Sequence, residues 1–162
     1  GNLLGSMLLA LATAASGVLS RAPAKEFLLG IVAAKMSAPL MELFFRGVLC
    51  NALVCLAVWM SMRARDEVAR LVLIFWCLFA FIGAGFEHSV ANMTLLSIGL
   101  FLPHDPNLVS WGGLARNLAV VTAGNIAGGA LLIGAPYWYV ARAQRRMLAV
   151  RPVPDEAAAV AG

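Results

Sequence analysis

Charge is what this sequence has least of. Among its 162 residues are 12 Lys and Arg, 8 Asp and Glu and 2 His, so 12% are charged, about half the share that soluble domains carry. That shortage excludes an ordinary solvated surface. Cysteine is also scarce: Cys50, Cys55 and Cys77 lie inside apolar segments, with neither metal-ligand spacing nor a paired framework, and read as small buried hydrophobes. Catalytic constellations are missing. Glu87-His88 has no second histidine at the spacing of a zinc protease, and there is no nucleophile elbow or phosphate-binding glycine loop. The net charge of +4 comes from residues at segment ends, without the aromatic-interleaved basic patch of a nucleic-acid binder. Enzyme activity, a metal or other cofactor and a nucleic-acid partner are not expected.

What is present is apolar sequence, 62% of the chain, in tracts near 20 residues joined by short polar connections. That is the signature of a helical membrane protein, and its persistence to Tyr139 rules out a signal peptide as the source. The first span covers residues 1–20 and carries no charge. A connector with Arg21, Lys25 and Glu26 leads into a semi-polar stretch broken by Lys35 and Pro39. The second span is 43–62, the third 71–102 and the fourth 117–141, ending in Tyr137, Trp138 and Tyr139 before Arg142, Arg145 and Arg146. This aromatic belt with a basic flank marks a membrane interface. Residues 1–151 thus form one transmembrane domain, and 152–162 (PVPDEAAAVAG) read as a disordered cytoplasmic tail.

Arginines at 63, 65 and 70 in the loop before the third span, and those at the C-terminus, place both on the cytoplasmic side. The loop before the fourth span, with Arg116 as its one basic residue, falls outside. Parity puts the first connector outside as well, against the sign of its charges. Because the chain opens on Gly1 with an apolar run starting at once, it reads as the remainder of a longer protein.

The third span is too long for one upright helix, and IGAGFEHSVANM (82–93) interrupts it. Its first half, to Ala84, extends about 21 Å and its last, from Met93, about 15 Å, at about 1.5 Å per residue. Neither crosses alone, so a discontinuous helix broken around 83–93 is expected. Gly83 and Gly85 would permit the exit from helix; Ser89 or Asn92 would cap the half beginning near Met93. The free N–H groups at that start favour an anion. His88 has the one side chain here that ordinarily titrates near neutral pH, and intramembrane ionisable residues commonly mark pathways. Glu87 is expected to brace the loop against a neighbouring helix. Asn51 is a candidate partner for the loop or a generic interhelical hydrogen-bond donor. Arg46 reads equally as a snorkelling side chain or an anion recruiter, and His104 as a solvated loop residue.

The chain also echoes itself. GNLLGSMLL from Gly1 and GNIAGGALL from Gly124 agree at five of nine positions. Three crossings separate them, which suggests an inverted-topology repeat with its site near the midplane; two closely packed helices would share the same glycines.

RGVLCNALVCLAVWM (46–60), GFEHSVANM (85–93) and GNIAGG (124–129), in this order and at these separations, resemble the motifs of the formate/nitrite transporter family, from its third helix through its sixth. The resemblance implies an all-α, polytopic membrane bundle with an aquaporin-like inverted repeat whose two N-terminal helices are missing here. It implies a homopentamer in the bacterial inner membrane, each protomer passing small monovalent anions such as formate and nitrite, together with protons. Carried over, His88 falls on the central pore histidine, Asn51 on the asparagine beside it, and Phe81 and Val54 on apolar constriction positions. The expected function is a channel or proton-coupled transporter; the alternatives are a non-transporting membrane assembly subunit and a neutral-solute channel.

Overall fold

The computed structural model describes residues 1–150, with side chains through Met147; the tail expected at 152–162 lies outside the described residues. The elements in order are α1 (Asn2–Ala15), α2 (Ala24–Ser37), α3 (Leu40–Arg63), α4 (Glu67–Gly83), α5 (Ser89–Phe101), α6 (Trp111–Ile126), a π-helical segment (Ala127–Gly134) and α7 (Ala135–Val150). Among the described residues two helices are long and apolar enough to cross a membrane: α3, and the uninterrupted 37-residue run from Trp111 to Met147. The second begins six residues before the start expected from hydrophobicity, because Ser110 caps it, its hydroxyl accepting the Gly113 N–H.

Other boundaries differ from expectation as well. α1 stops at Ala15, short of residue 20, where the chain turns through Gly17 at φ 74°. The semi-polar stretch before Pro39 is itself helix, α2. It is divided from α3 by extended Ala38 and Pro39, since proline cannot donate into a helix and forces its predecessor out of it. The break in the third span is shorter than 83–93: α4 runs through Gly83 and α5 starts at Ser89.

Small residues set the packing. α3 lies along α6 and the π-segment, and a Cβ placed on Gly124 or Gly128 would overlap the carbonyls of Phe44 and Val48 on α3. Substituting alanine for Gly124 should therefore force the helices apart. The expected loss is about 1–3 kcal/mol, the usual range for overpacking, read as a lower unfolding midpoint in detergent micelles. α1, α2 and α5 surround a second cluster containing Ala10, Leu28, Val32, Leu96 and Ile98, with Gly99 pressed on Val32 and Gly113 on Met36. Large apolar side chains remain exposed outside, among them Phe75, Trp76 and Phe79 on α4, a surface that suits lipid or further protein.

Candidate functional site

The site forms where α4 gives way to α5. Gly85, at φ 68°, is the residue that turns the chain, a conformation glycine adopts without a Cβ penalty. Phe86 N–H then returns to the Phe81 carbonyl at 3.0 Å, and Glu87 N–H reaches the Arg46 carbonyl on α3 at 3.3 Å. Asn125 on α6 completes the support. Its Nδ2 donates to the carbonyls of Gly47 and Glu87, each at 2.9 Å, and its Oδ1 accepts the Ser89 N–H at 3.0 Å. One carboxamide thus satisfies the last carbonyl before α5's cap, the first N–H of α5 and a carbonyl of α3. Buried backbone groups need such partners.

Glu87 is 2% exposed, and a buried carboxylate is tolerated only with compensation. Oε1 accepts from Lys35 Nζ at 2.7 Å, and Oε2 from Asn92 Nδ2 at 2.5 Å. The same Asn92 amide donates to Asn117 Oδ1 at 2.9 Å, and Asn117 Nδ2 donates to the Lys35 carbonyl at 2.9 Å. The ring Lys35–Glu87–Asn92–Asn117 ties α2, the break, α5 and α6 together.

His88 occupies the cap position of α5. Its Nδ1 accepts the Ala91 N–H at 3.2 Å, which in the neutral ring puts the proton on Nε2 and leaves that N–H to donate elsewhere. Its ring lies against Phe81, centroids 5.9 Å apart with planes at 30°. A hydrogen-bond donor thus stands at a helix N-terminus beside an aromatic wall, an arrangement chemically suited to an anion.

The sequence profile of the formate/nitrite transporters matches residues 1–139. The chain belongs to the formate/nitrite transporter family. It is 43% identical over 157 residues to the nitrite transporter NirC of Escherichia coli (strain K12), covering 96% of this chain and 56% of NirC. To the formate channel FocA of the same strain it is 32% identical over 158 residues, covering 86% and 55%. Among solved structures, an FNT family ion channel superimposes with TM-score 0.78 at 42% identity, over 85% of this chain and 55% of the other. A pentameric formate channel with formate bound gives TM-score 0.76 at 28% identity, over 85% and 61%. The all-helical architecture is that of these channels; the chain spans a little over half the length of the curated relatives it matches.

The expected site residues of this family member take the following places. The cap of α5 is His88, not Ser89 or Asn92, because its imidazole reaches Ala91 while the Asn92 amide turns to Glu87 and Asn117. Ser89 contributes its N–H to Asn125. Gly83 is the last residue of α4, with open space where a Cβ would stand, so the bend requires Gly85 alone. Asn51 does not reach the loop; its Nδ2 donates to the Asn125 carbonyl at 2.6 Å, bracing the residue that holds the loop. Val54 lines an apolar cavity of about 390 Å³ between α3 and the π-segment, with Cys55, Trp59, Gly129 and Tyr137. Arg46 pairs with Glu42 on the exposed face, Nη2 to Oε2 at 2.8 Å.

Lys35, Asn117 and Asn125 were not among the expected site residues. The signal for the asparagines was available, as amides inside apolar runs commonly bond across helices. Lys35, in sequence a charge that breaks a semi-polar stretch, neutralises Glu87. Arg116, read as a loop charge, donates to the carbonyls of Met36 and Ala38 at 2.9 and 2.8 Å, closing the C-terminus of α2.

Proposed function

We propose that this chain forms one wall of a membrane pore for small monovalent anions of weak acids, with formate and nitrite as the substrate class, and that His88 shares a proton with the passing anion. The observation that carries the reading is the His88 geometry: Nδ1 committed to Ala91, Nε2–H free to donate, at the start of α5 and against Phe81. The names of two relatives, a nitrite transporter and a formate channel, support the substrate class.

In this mechanism the anion is drawn inward by the partial positive charge at the N-terminus of α5. It passes an apolar constriction that includes Phe81, then meets His88. Proton sharing lowers the cost of the next apolar stretch, because a neutral acid escapes most of the penalty for burying charge. Asn51 acts from behind, through Asn125. Gly85, Glu87, Ser89, Asn92 and Asn125 hold the break that presents the histidine. The assembly is a homopentamer in the bacterial inner membrane with its C-terminus cytoplasmic; a pentameric formate channel among the solved neighbours supports the oligomer.

The test is formate flux into liposomes from the pore reconstituted with the two helices that the family resemblance adds. His88→Phe is expected to abolish the response of flux to a proton gradient while leaving the protein folded. An unchanged pH profile sinks the proposal, and flux indifferent to competing anions points to a neutral-solute channel.

A further inference from the structure

The run from Trp111 to Met147 is 37 residues long, about 55 Å at about 1.5 Å per residue. A bilayer with its headgroups is thinner, about 40–45 Å. Exposed aromatic residues mark the two interfaces, Trp111 at one end and Trp138 and Tyr139 towards the other, roughly 40 Å apart along the axis at that rise. The turns of α7 beyond Tyr139 therefore reach the phosphate layer. α7 contains no acidic residue, and Arg142, Arg145 and Arg146 are all exposed. One helical turn on from Arg142, about 3.6 residues, falls between positions 145 and 146, so the other two arginines flank it on either side. Two shallow grooves result. One, of about 210 Å³, is lined by Trp138, Ala141, Arg142 and Arg145. The other, of about 230 Å³, is lined by Tyr139, Arg142, Ala143, Arg146 and Met147. Each has an aromatic ring at its membrane end and two guanidiniums beyond it, and Arg142 serves both. The Arg142 guanidinium lies over the Trp138 ring at 5.1 Å; stacking occupies its face and leaves the in-plane N–H groups to donate. The ion pairs among the described residues, Lys35–Glu87 and Arg46–Glu42, lie elsewhere. This cationic face belongs to one helix and is complete within it.

We infer that the end of α7 binds a phospholipid whose headgroup carries two phosphodiesters, one in each groove, with Arg142 donating to both. The planar fork of arginine matches pairs of phosphate oxygens, and the acyl chains run past Trp138 and Tyr139 into the bilayer. A lipid with one phosphate fills one groove and leaves Arg145 or Arg146 without an anion; a second such lipid competes for Arg142. A soluble polyanion is the poorer occupant, because it offers nothing apolar to the exposed rings of Trp138 and Tyr139. The inference rests on the membrane-spanning reading of this helix, not on His88 or on transport, so failure of the flux experiment leaves it standing.

The test is a lipid titration of the purified chain in mild detergent, read by native mass spectrometry. Counted per phosphate, tetraoleoyl cardiolipin is expected to half-saturate its site at about one tenth the concentration that dioleoyl phosphatidylglycerol requires, and dioleoyl phosphatidylcholine should not compete. Arg142→Gln should raise the cardiolipin half-saturation about tenfold and erase the preference between the two anionic lipids. Arg145→Gln and Arg146→Gln should each raise it about threefold. Arg65→Gln, at an exposed arginine of the α3–α4 loop, should leave it unchanged. Because all four side chains are exposed, helicity and elution of the variants should match the unsubstituted protein. Equal half-saturation by the two anionic lipids per phosphate, no loss on Arg142→Gln, or a loss on Arg65→Gln as large as that on Arg142→Gln overturns the inference, the last by showing diffuse attraction to basic residues.

Discussion

Asn125→Leu is expected to abolish the folded state. The substitution removes the partners of three backbone groups, the carbonyls of Gly47 and Glu87 and the N–H of Ser89, at a site where Asn125 is 8% exposed. An unsatisfied buried group costs about 1–3 kcal/mol, so three amount to roughly 5 kcal/mol, comparable with the whole stability of many domains. Leucine keeps the heavy-atom count and branching of asparagine and leaves no cavity, so the loss reports on hydrogen bonding more than on cavity formation. The comparison variant is Asn51→Leu, which removes one donor from the Asn125 carbonyl and should cost about 1 kcal/mol. Unfolding in mixed micelles, followed by circular dichroism, separates the two. Similar midpoints for both variants would show that Asn125 does not hold the break.

The second large effect concerns the ion pair. Lys35→Met leaves Glu87 charged and buried with Asn92 as its remaining partner. Breaking such a pair from one side costs about 3–5 kcal/mol; the Lys35 side chain is 20% exposed, so the lower end applies. Adding Glu87→Gln to Lys35→Met should recover most of the loss, because a neutral amide can still accept from Asn92 and needs no counter-ion. A double-mutant cycle in the same unfolding assay measures this, and strictly additive losses would contradict the pairing.

These two expectations also show which parts of the site could be read from the sequence. The break itself was legible, because two glycines and a run of polar residues inside an apolar tract can hardly continue as lipid-facing helix. Its boundaries were not, since the cap is an imidazole whose role depends on its rotamer. Glu87 was recognisable as a bracing residue in kind, but its partner Lys35 lies 52 positions away and was masked by the basic residues of the connector. In sequence Asn125 stands inside the internal repeat with nothing beside it to mark a site residue. A lone amide among glycines looks like packing until the fold brings it to a loop 36 residues away in sequence. α2 is hard to see in the sequence for a different reason. Its charges and Pro39 suggest a broken connector, whereas the helix is held from outside by the Arg116 guanidinium on its final carbonyls.

The π-segment has a consequence for the last membrane helix. An α-helix advances about 100° per residue, and the eight residues from Ala127 to Gly134 wind more slowly. Everything beyond Gly134 is therefore phase-shifted relative to α6, so the face that holds Asn125 and the face that stacks Tyr137 on Trp59 at 4.3 Å answer to separate angular origins. A helical wheel drawn continuously from Trp111 to Met147 would misplace one end or the other. Shortening the segment by one residue would act as a rotary joint, turning the terminal arginines and Tyr137 about the axis while the break at His88 stayed where it is.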